Sequence, residues 1–192
     1  MNMNKEDKHI FIEQVMARPS CNREVLLPAV IKRFECKVGA EIGVSWGNHA
    51  IHLLNSTNIY LYLVDNYRDN EPGRHGLTGD RRYRDAQKNL NEYIDGKRCE
   101  LIKANSFEAS LLIPDNSLDF LYIDADHSYE GTKTDINAWY PKVRVGGVVA
   151  GHDYKNRAYC RVKKYIDEFI KEQGLRLFVI QGRGCGWIVI KI

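Results

Sequence analysis

With 192 residues, 44% of them hydrophobic, the chain is long enough for one sizeable core and short for two domains. Its 28 basic and 25 acidic side chains leave a net charge of +3 spread over mixed-sign segments, which disfavours a nucleic-acid stripe or a basic membrane anchor. Five scattered cysteines without a C-x-x-C pair fit neither a disulfide framework nor a structural zinc site, and no stretch reads as a signal peptide or as ~20 apolar residues, so a soluble, cytoplasmic protein is expected.

Residues 1–37 are expected to form a helical cap. Ile10, Phe11, Ile12 and Val15 precede the Arg18-Pro19 break, and Val25, Leu26, Val30, Ile31 and Phe34 recur at roughly helical spacing, with Pro28 expected to interrupt or kink that helix. From residue 38 short apolar runs at 38–44, 59–64, 99–104, 118–123 and 148–150 alternate with helical segments at 49–55, 81–94, 107–112, 129–139 and 161–173. That alternation argues for βαβ units and a parallel sheet within a single domain, 1–192. Two further β-rich runs, 175–180 and 187–192, are joined only by Gln-Gly-Arg-Gly-Cys-Gly, which predicts a hairpin and a reversed last strand.

The chemistry-bearing residues fall at the expected strand ends. Glu41-Ile42-Gly43-Val44-Ser45-Trp46-Gly47 follows the first strand as E-x-G-x-x-x-G, where glycine permits close approach to a ligand or simply a tight turn into the next helix. A dinucleotide-binding turn needs a second glycine where this chain has Val44-Ser45, so a nicotinamide dehydrogenase is disfavoured. Asp65 closes the second strand about twenty residues on, where an acid can accept from both hydroxyls of a ribose or serve as an ordinary turn residue. Asn105-Ser106 ends the third strand as a ligand contact or a helix N-cap.

After the fourth and fifth strands come Asp124, Asp126 and His127, then His152 and Asp153, which a parallel sheet brings to one rim. A histidine's unperturbed pKa suits a base working at neutral pH, a role open to His127; alternatively Asp126 or Ser128 caps the next helix and His127 is merely exposed. Asp126 reads as an orienting partner for His127 or as a metal ligand. The loop 66–80 carries three glycines and several charges, so Arg68, Arg74 and His75 are expected either to fold over an acceptor or to be solvated.

The D-x-D-H-S-Y-E-G…G-G-V…G-H-D-Y segment and the expected seven strands resemble the class I S-adenosylmethionine-dependent methyltransferases, and within them the small bacterial methyltransferase 24 type. The resemblance runs from about residue 38 to the C-terminus and leaves the helical cap unmatched. It implies an α/β, Rossmann-like sheet of seven strands, mostly parallel, in the order 3-2-1-4-5-7-6 with the last strand antiparallel and helices on both faces.

It further implies S-adenosylmethionine as cofactor, held by Glu41, Gly43, Ser45, Gly47, Asp65, Asn105, Ser106 and Asp124. Catechol-type relatives place a divalent metal where Asp124, His152 and Asp153 stand here, and a general base where His127 stands, so Asp124 and His127 are the implied catalytic pair. Where those relatives have Asp-Asn this chain has His152-Asp153; the nitrogen donor shifts preference from magnesium towards manganese, iron or zinc, with magnesium or manganese expected.

The function implied is metal-assisted O-methylation of a small-molecule or sugar hydroxyl. The alternatives are metal-independent O- or N-methylation with His127 as base, and a non-catalytic cofactor-binding partner subunit. Asp-Ala-Asp-His stands where a nucleic-acid methylase of the N-P-P-Y kind would differ, so nucleic acid is not an expected acceptor. Trp139, Tyr140 and the N-terminal helices are expected surface for a homo-oligomer.

Overall fold

Apolar residues in this chain follow two periods, and the computed structural model, which describes residues 3–68, 78–182 and 185–192, resolves them into alternating helices and strands. Helices α1 (Lys5–Met16) and α2 (Arg23–Arg33) precede β1 (Val38–Ile42), α3 (Asn48–Ser56), β2 (Tyr60–Asp65), α4 (Gly79–Asp95) and β3 (Cys99–Lys103). Then come α5 (Ser106–Ser110), β4 (Leu118–Ile123), α6 (Tyr129–Trp139), β5 (Val143–Gly151), α7 (Val162–Gln173), β6 (Phe178–Ile180) and β7 (Gly186–Ile190). Asn4, Asn22, Thr78 and Ser128 start α1, α2, α4 and α6 by accepting a backbone N–H that the first turn leaves unpaired.

The strands form one sheet in the order β3-β2-β1-β4-β5-β7-β6. Every pairing is parallel except those of β7, which runs antiparallel to both β5 and β6. The chain builds outward from β1 through β2 to β3 and then returns to β4 on the other side of β1, so the loops leaving β1 and β4 part at the carboxyl edge. That divergence opens a crevice. Register brings the strand ends level there, with Ile42 opposite Val64 and Ile123, and Ile123 opposite Gly151.

Alternate residues of each strand feed opposite cores. On one face Phe120 and Tyr122 pack with Ile12, Leu26, Leu53 and Leu90, so the N-terminal helices share a core with α3 and α4. On the other, Leu121 and Val149 pack with Ile136, Trp139, Ile166 and Phe169. Among the described residues no helix is long and apolar enough to cross a membrane.

Three expectations need correction. Of the two outcomes expected at Pro28, interruption falls away, because α2 runs through it. A proline at this place has no N–H to give the carbonyl of Glu24, and Nε2 of His52 on α3 bonds that carbonyl instead at 2.9 Å. Strand β5 begins at Val143, because Val143 pairs with Leu118 and, after a bulge that includes Gly146, Val148 pairs with Phe120. Trp139 is fully buried, its indole N–H bonded to Ser106, and is a core residue instead of interface surface.

Candidate active site

The crevice is a cavity of about 1220 Å³ whose described lining comes from the ends of β1 to β4, the helices that follow them, Arg23 of α2 and Tyr159 of the segment between β5 and α7. That exceeds the roughly 300–1,000 Å³ of a site for one small ligand, so two can sit side by side. Carboxyl side chains outnumber arginines seven to three among the described lining residues, which favours a cationic ligand. Glu41, Gly43, Ser45, Asp65, Asn105, Ser106, Asp124 and His127 all line it; Gly47, His152 and Asp153 are not among the described lining residues.

The glycine loop is shaped by protein contacts. Gly43 has φ +91°, and a Cβ there would lie 2.1 Å from the backbone oxygen of Asp124, so only glycine lets β1 and β4 part this closely. Asp65 anchors the loop: Oδ2 accepts from the N–H groups of Val44 (3.0 Å) and Ser45 (2.8 Å), and Oδ1 from Tyr67 (2.8 Å). A carboxylate has about four acceptor positions, so beside these three protein bonds Asp65 keeps acceptor capacity at the cavity wall. Gly47 turns the chain into α3 against the side chain of Leu90.

Beyond β3, Asn105 starts α5 with no side-chain capping bond among the described residues, and it lines the cavity. Ser106 is committed to the fold, taking the Trp139 indole N–H at 2.9 Å and bonding the buried carboxyl of Asp135. Burial pushes Asp135 up to about 6 against that bond.

The four rim groups after β4 and β5 touch one another. Nε2 of His127 lies 3.1 Å from Oδ1 of Asp124, and Nδ1 of His152 lies 3.3 Å from the same oxygen. Nδ1 of His127 faces Oδ2 of Asp153 at 3.5 Å, and Lys155 donates to the other oxygen of Asp153 at 2.7 Å. Burial works against the charge on Asp124, but the bonds from His127 and His152 outweigh it and hold the carboxyl well below the usual range. The bond to Asp124 raises His127, with burial opposing. Asp126 accepts from the N–H of Ser128 at 2.8 Å, a local turn that leaves Asp124 as the group orienting His127. Arg68 lines the cavity, while Arg74 and His75 lie outside the described residues.

Two lining groups carry no sequence signal of their own. Besides Asp135, His49 in the first turn of α3 places Nδ1 3.0 Å from the buried Glu41 and stacks on Tyr122, while its buried Nε2 has no partner among the described residues. Leaving such an atom unpaired costs about 1–3 kcal/mol, which marks a position a ligand can satisfy. Only its place, eight residues after Glu41 at the head of the helix that follows the glycine loop, could have flagged it.

Residues 40–154, more than half of the chain, match the family described as Methyltransferase domain. The chain belongs to this methyltransferase family. The fold agrees with solved structures over nearly the whole length. A Staphylococcus aureus structure named as a candidate caffeoyl-CoA O-methyltransferase superposes with TM-score 0.69 at 19% identity, covering 100% of this chain and 93% of that one. A Bacillus cereus O-methyltransferase in complex with S-adenosylhomocysteine gives 0.65 at 16% identity, covering 98% and 93%. At such identities the likeness concerns the fold. Uncharacterized protein R132 of Acanthamoeba polyphaga mimivirus is 32% identical over 68 residues, which span 33% of this chain and only 30% of the viral protein.

The cofactor implied for this methyltransferase family fits the residues present: an acid-rich wall suits a sulfonium, and among the described residues the buried Nε2 of His49 has no partner. The implied metal fits less well. Among the described residues no three His, Cys, Asp or Glu side chains are arranged to hold an ion. Positive charge already meets both carboxylates, from Lys155 on Asp153 and from Arg23, 3.7 Å from Asp124.

Proposed function

We propose that the protein transfers a methyl group from S-adenosylmethionine to a hydroxyl oxygen of a small molecule or sugar. The observation that carries this reading is the Asp124–His127 pair opening on an acid-lined cavity with space for a second ligand. The oxygen preference draws support from the structural neighbours named as O-methyltransferases.

The cofactor, when bound, supplies an electrophilic methyl group; the chain's own residues have to orient the acceptor and take its proton. Asp124, kept ionised, accepts the Nε2–H of His127 and so leaves Nδ1 as the atom that takes the hydroxyl proton. Asp153 faces that nitrogen and stabilises the imidazolium formed, with Lys155 fixing Asp153 in place. Asp65 keeps the glycine loop in the shape that borders the cofactor.

A metal-assisted version, drawing on Asp124, His152 and Asp153, has in its favour the mutual contact of these groups, and differs in requiring an ion. Labelled S-adenosylmethionine offered with a panel of phenols, sugars and amines, with and without EDTA, tests both. We expect transfer to a hydroxyl that survives EDTA and falls by about 10²-fold or more in His127→Ala. Loss in EDTA with rescue by magnesium or manganese favours the metal-assisted version, and transfer confined to amines removes the oxygen reading.

A further inference from the structure

A second cavity lies at the amino edge of the sheet, opposite the active site. Among the described residues it is a cleft of about 340 Å³ where α1, the end of α2 and the bulge near the start of β5 meet. Its charged lining is Lys8, Arg33 and Arg144 against Glu35, and Met3, Phe34 and Val145 give it an apolar side. None of these is among the described lining of the active site, and the methylation proposed above uses none of them.

Lys8 is the buried member of the set. Only 7% of it is exposed, and its ammonium lies 5.2 Å from the centre of the Phe34 ring. One of its three N–H groups donates to the carbonyl of Gly146 at 2.6 Å, and among the described residues no carboxylate forms an ion pair with it. Taking an unpaired charge out of water is costly, so burial and the charge of Arg144 lower the pKa of Lys8 against a smaller opposing pull from Cys36 and Asp119. The anion that Arg144 meets is itself shared. Asp119 accepts from Nε of Arg144 at 2.5 Å, while its other oxygen takes the N–H groups of Lys37 (2.6 Å) and Val38 (3.0 Å), and Asp119 is not in the described lining of the cleft.

Gly146 brings the two cations to one spot. It has φ +76°, and the place where a side chain would begin has, chain neighbours aside and among the described residues, only Nζ of Lys8 (3.4 Å) and Nη1 of Arg144 (3.9 Å) within reach. Two cationic donors around one open point suit a tetrahedral oxyanion, the ammonium as a compact charge and the guanidinium as part of a planar fork. We propose that this cleft binds the phosphate group of a small phosphorylated molecule, with Lys8 and Arg144 on its oxygens, Arg33 at the mouth and the organic remainder against Phe34 and Val145. The volume is near the lower bound for a small-ligand site, which suits a phosphate carrying a ring-sized group.

Calorimetric titration at constant ionic strength with phenyl phosphate, inorganic phosphate and benzyl alcohol as a neutral control tests this. Wild type should bind phenyl phosphate about threefold or more tightly than inorganic phosphate. Lys8→Met removes the charge from a side chain of similar length and should weaken phenyl phosphate about tenfold or more, and Arg33→Gln, at the exposed mouth, about threefold. Equal affinity for the two phosphates, lost together in Lys8→Met, supports the site and assigns it to the free ion. No binding by folded wild type up to about 10 mM, binding matched by benzyl alcohol, or unchanged affinity in a Lys8→Met protein that melts like wild type overturns the proposal. Should Lys8→Met fail to fold, unchanged affinity in Arg33→Gln overturns it.

Discussion

His127 sits between two carboxylates, one bonded to Nε2 and one facing Nδ1, and that position sets a pH dependence. As a base it works in its neutral form, while the bond to Asp124 raises its pKa, so kcat/KM should climb with pH through a midpoint above the ordinary ~6.5. Asp124→Asn removes the main cause, and the midpoint in a pH–rate profile should fall towards ~6.5; a midpoint that stays put would refute the pairing. Stability runs the other way. A raised histidine contributes fully below its unfolded value of ~6.5 and loses the contribution as pH rises through its folded value, whereas Asp124, held low, contributes above ~3.9. The ion pair therefore stabilises the fold most between ~4 and ~6.5. Asp124, His127 and Asp153 were legible from sequence because strand ends alone decide that they meet. His49 and Asp135 were not, since which face of a helix meets the cavity depends on how the helix is rolled onto the sheet.

The same contrast separates the elements that periodicity reveals from those it hides. The bounds of α6, 129–139, are legible from sequence, but its buried face is not: Thr132, Asp135, Ile136 and Trp139 form an i, i+3, i+4, i+7 stripe with two polar members, and Trp139 reads as surface. In β5, Val-Arg-Val-Gly-Gly looks like a turn, because a bulge breaks the alternation that would mark a strand. Helix α2 survives Pro28 through a partner on another helix, which no local pattern announces. Denaturant unfolding should show that dependence. His52→Ala should cost about 0.5–1 kcal/mol with Pro28 present and less with Pro28→Ala, where the backbone N–H serves Glu24 again. Additive effects in that double-mutant cycle would mean that the His52 bond does not replace the missing one.

Over the whole molecule, the sheet order was the most legible feature, because alternating runs and a terminal hairpin leave few topologies for a parallel sheet. Its consequence is that one cavity collects the ends of β1 to β4, with Arg23 and Tyr159 added from α2 and from the segment after β5. Those ends are tied to one another by hydrogen bonds: Asp65 and Tyr67 join the ends of β1 and β2, the N–H of Ala104 bonds the carbonyl of Asp65 from β3, and Asp124, backed by His152, joins the ends of β4 and β5. A ligand lying across them adds a further tie between the ends of β3 and β1. Its effect should therefore be collective. At about 100 times its dissociation constant S-adenosylhomocysteine should add about 2.7 kcal/mol, a rise in Tm of roughly 5–10 °C for a chain of this size. Hydrogen exchange should slow together at residues 42–48, 65–67, 104–107 and 124–128. Protection confined to the glycine loop would contradict a cofactor spread from β3 to β4, since binding that engages one loop leaves the opening of the other three unchanged.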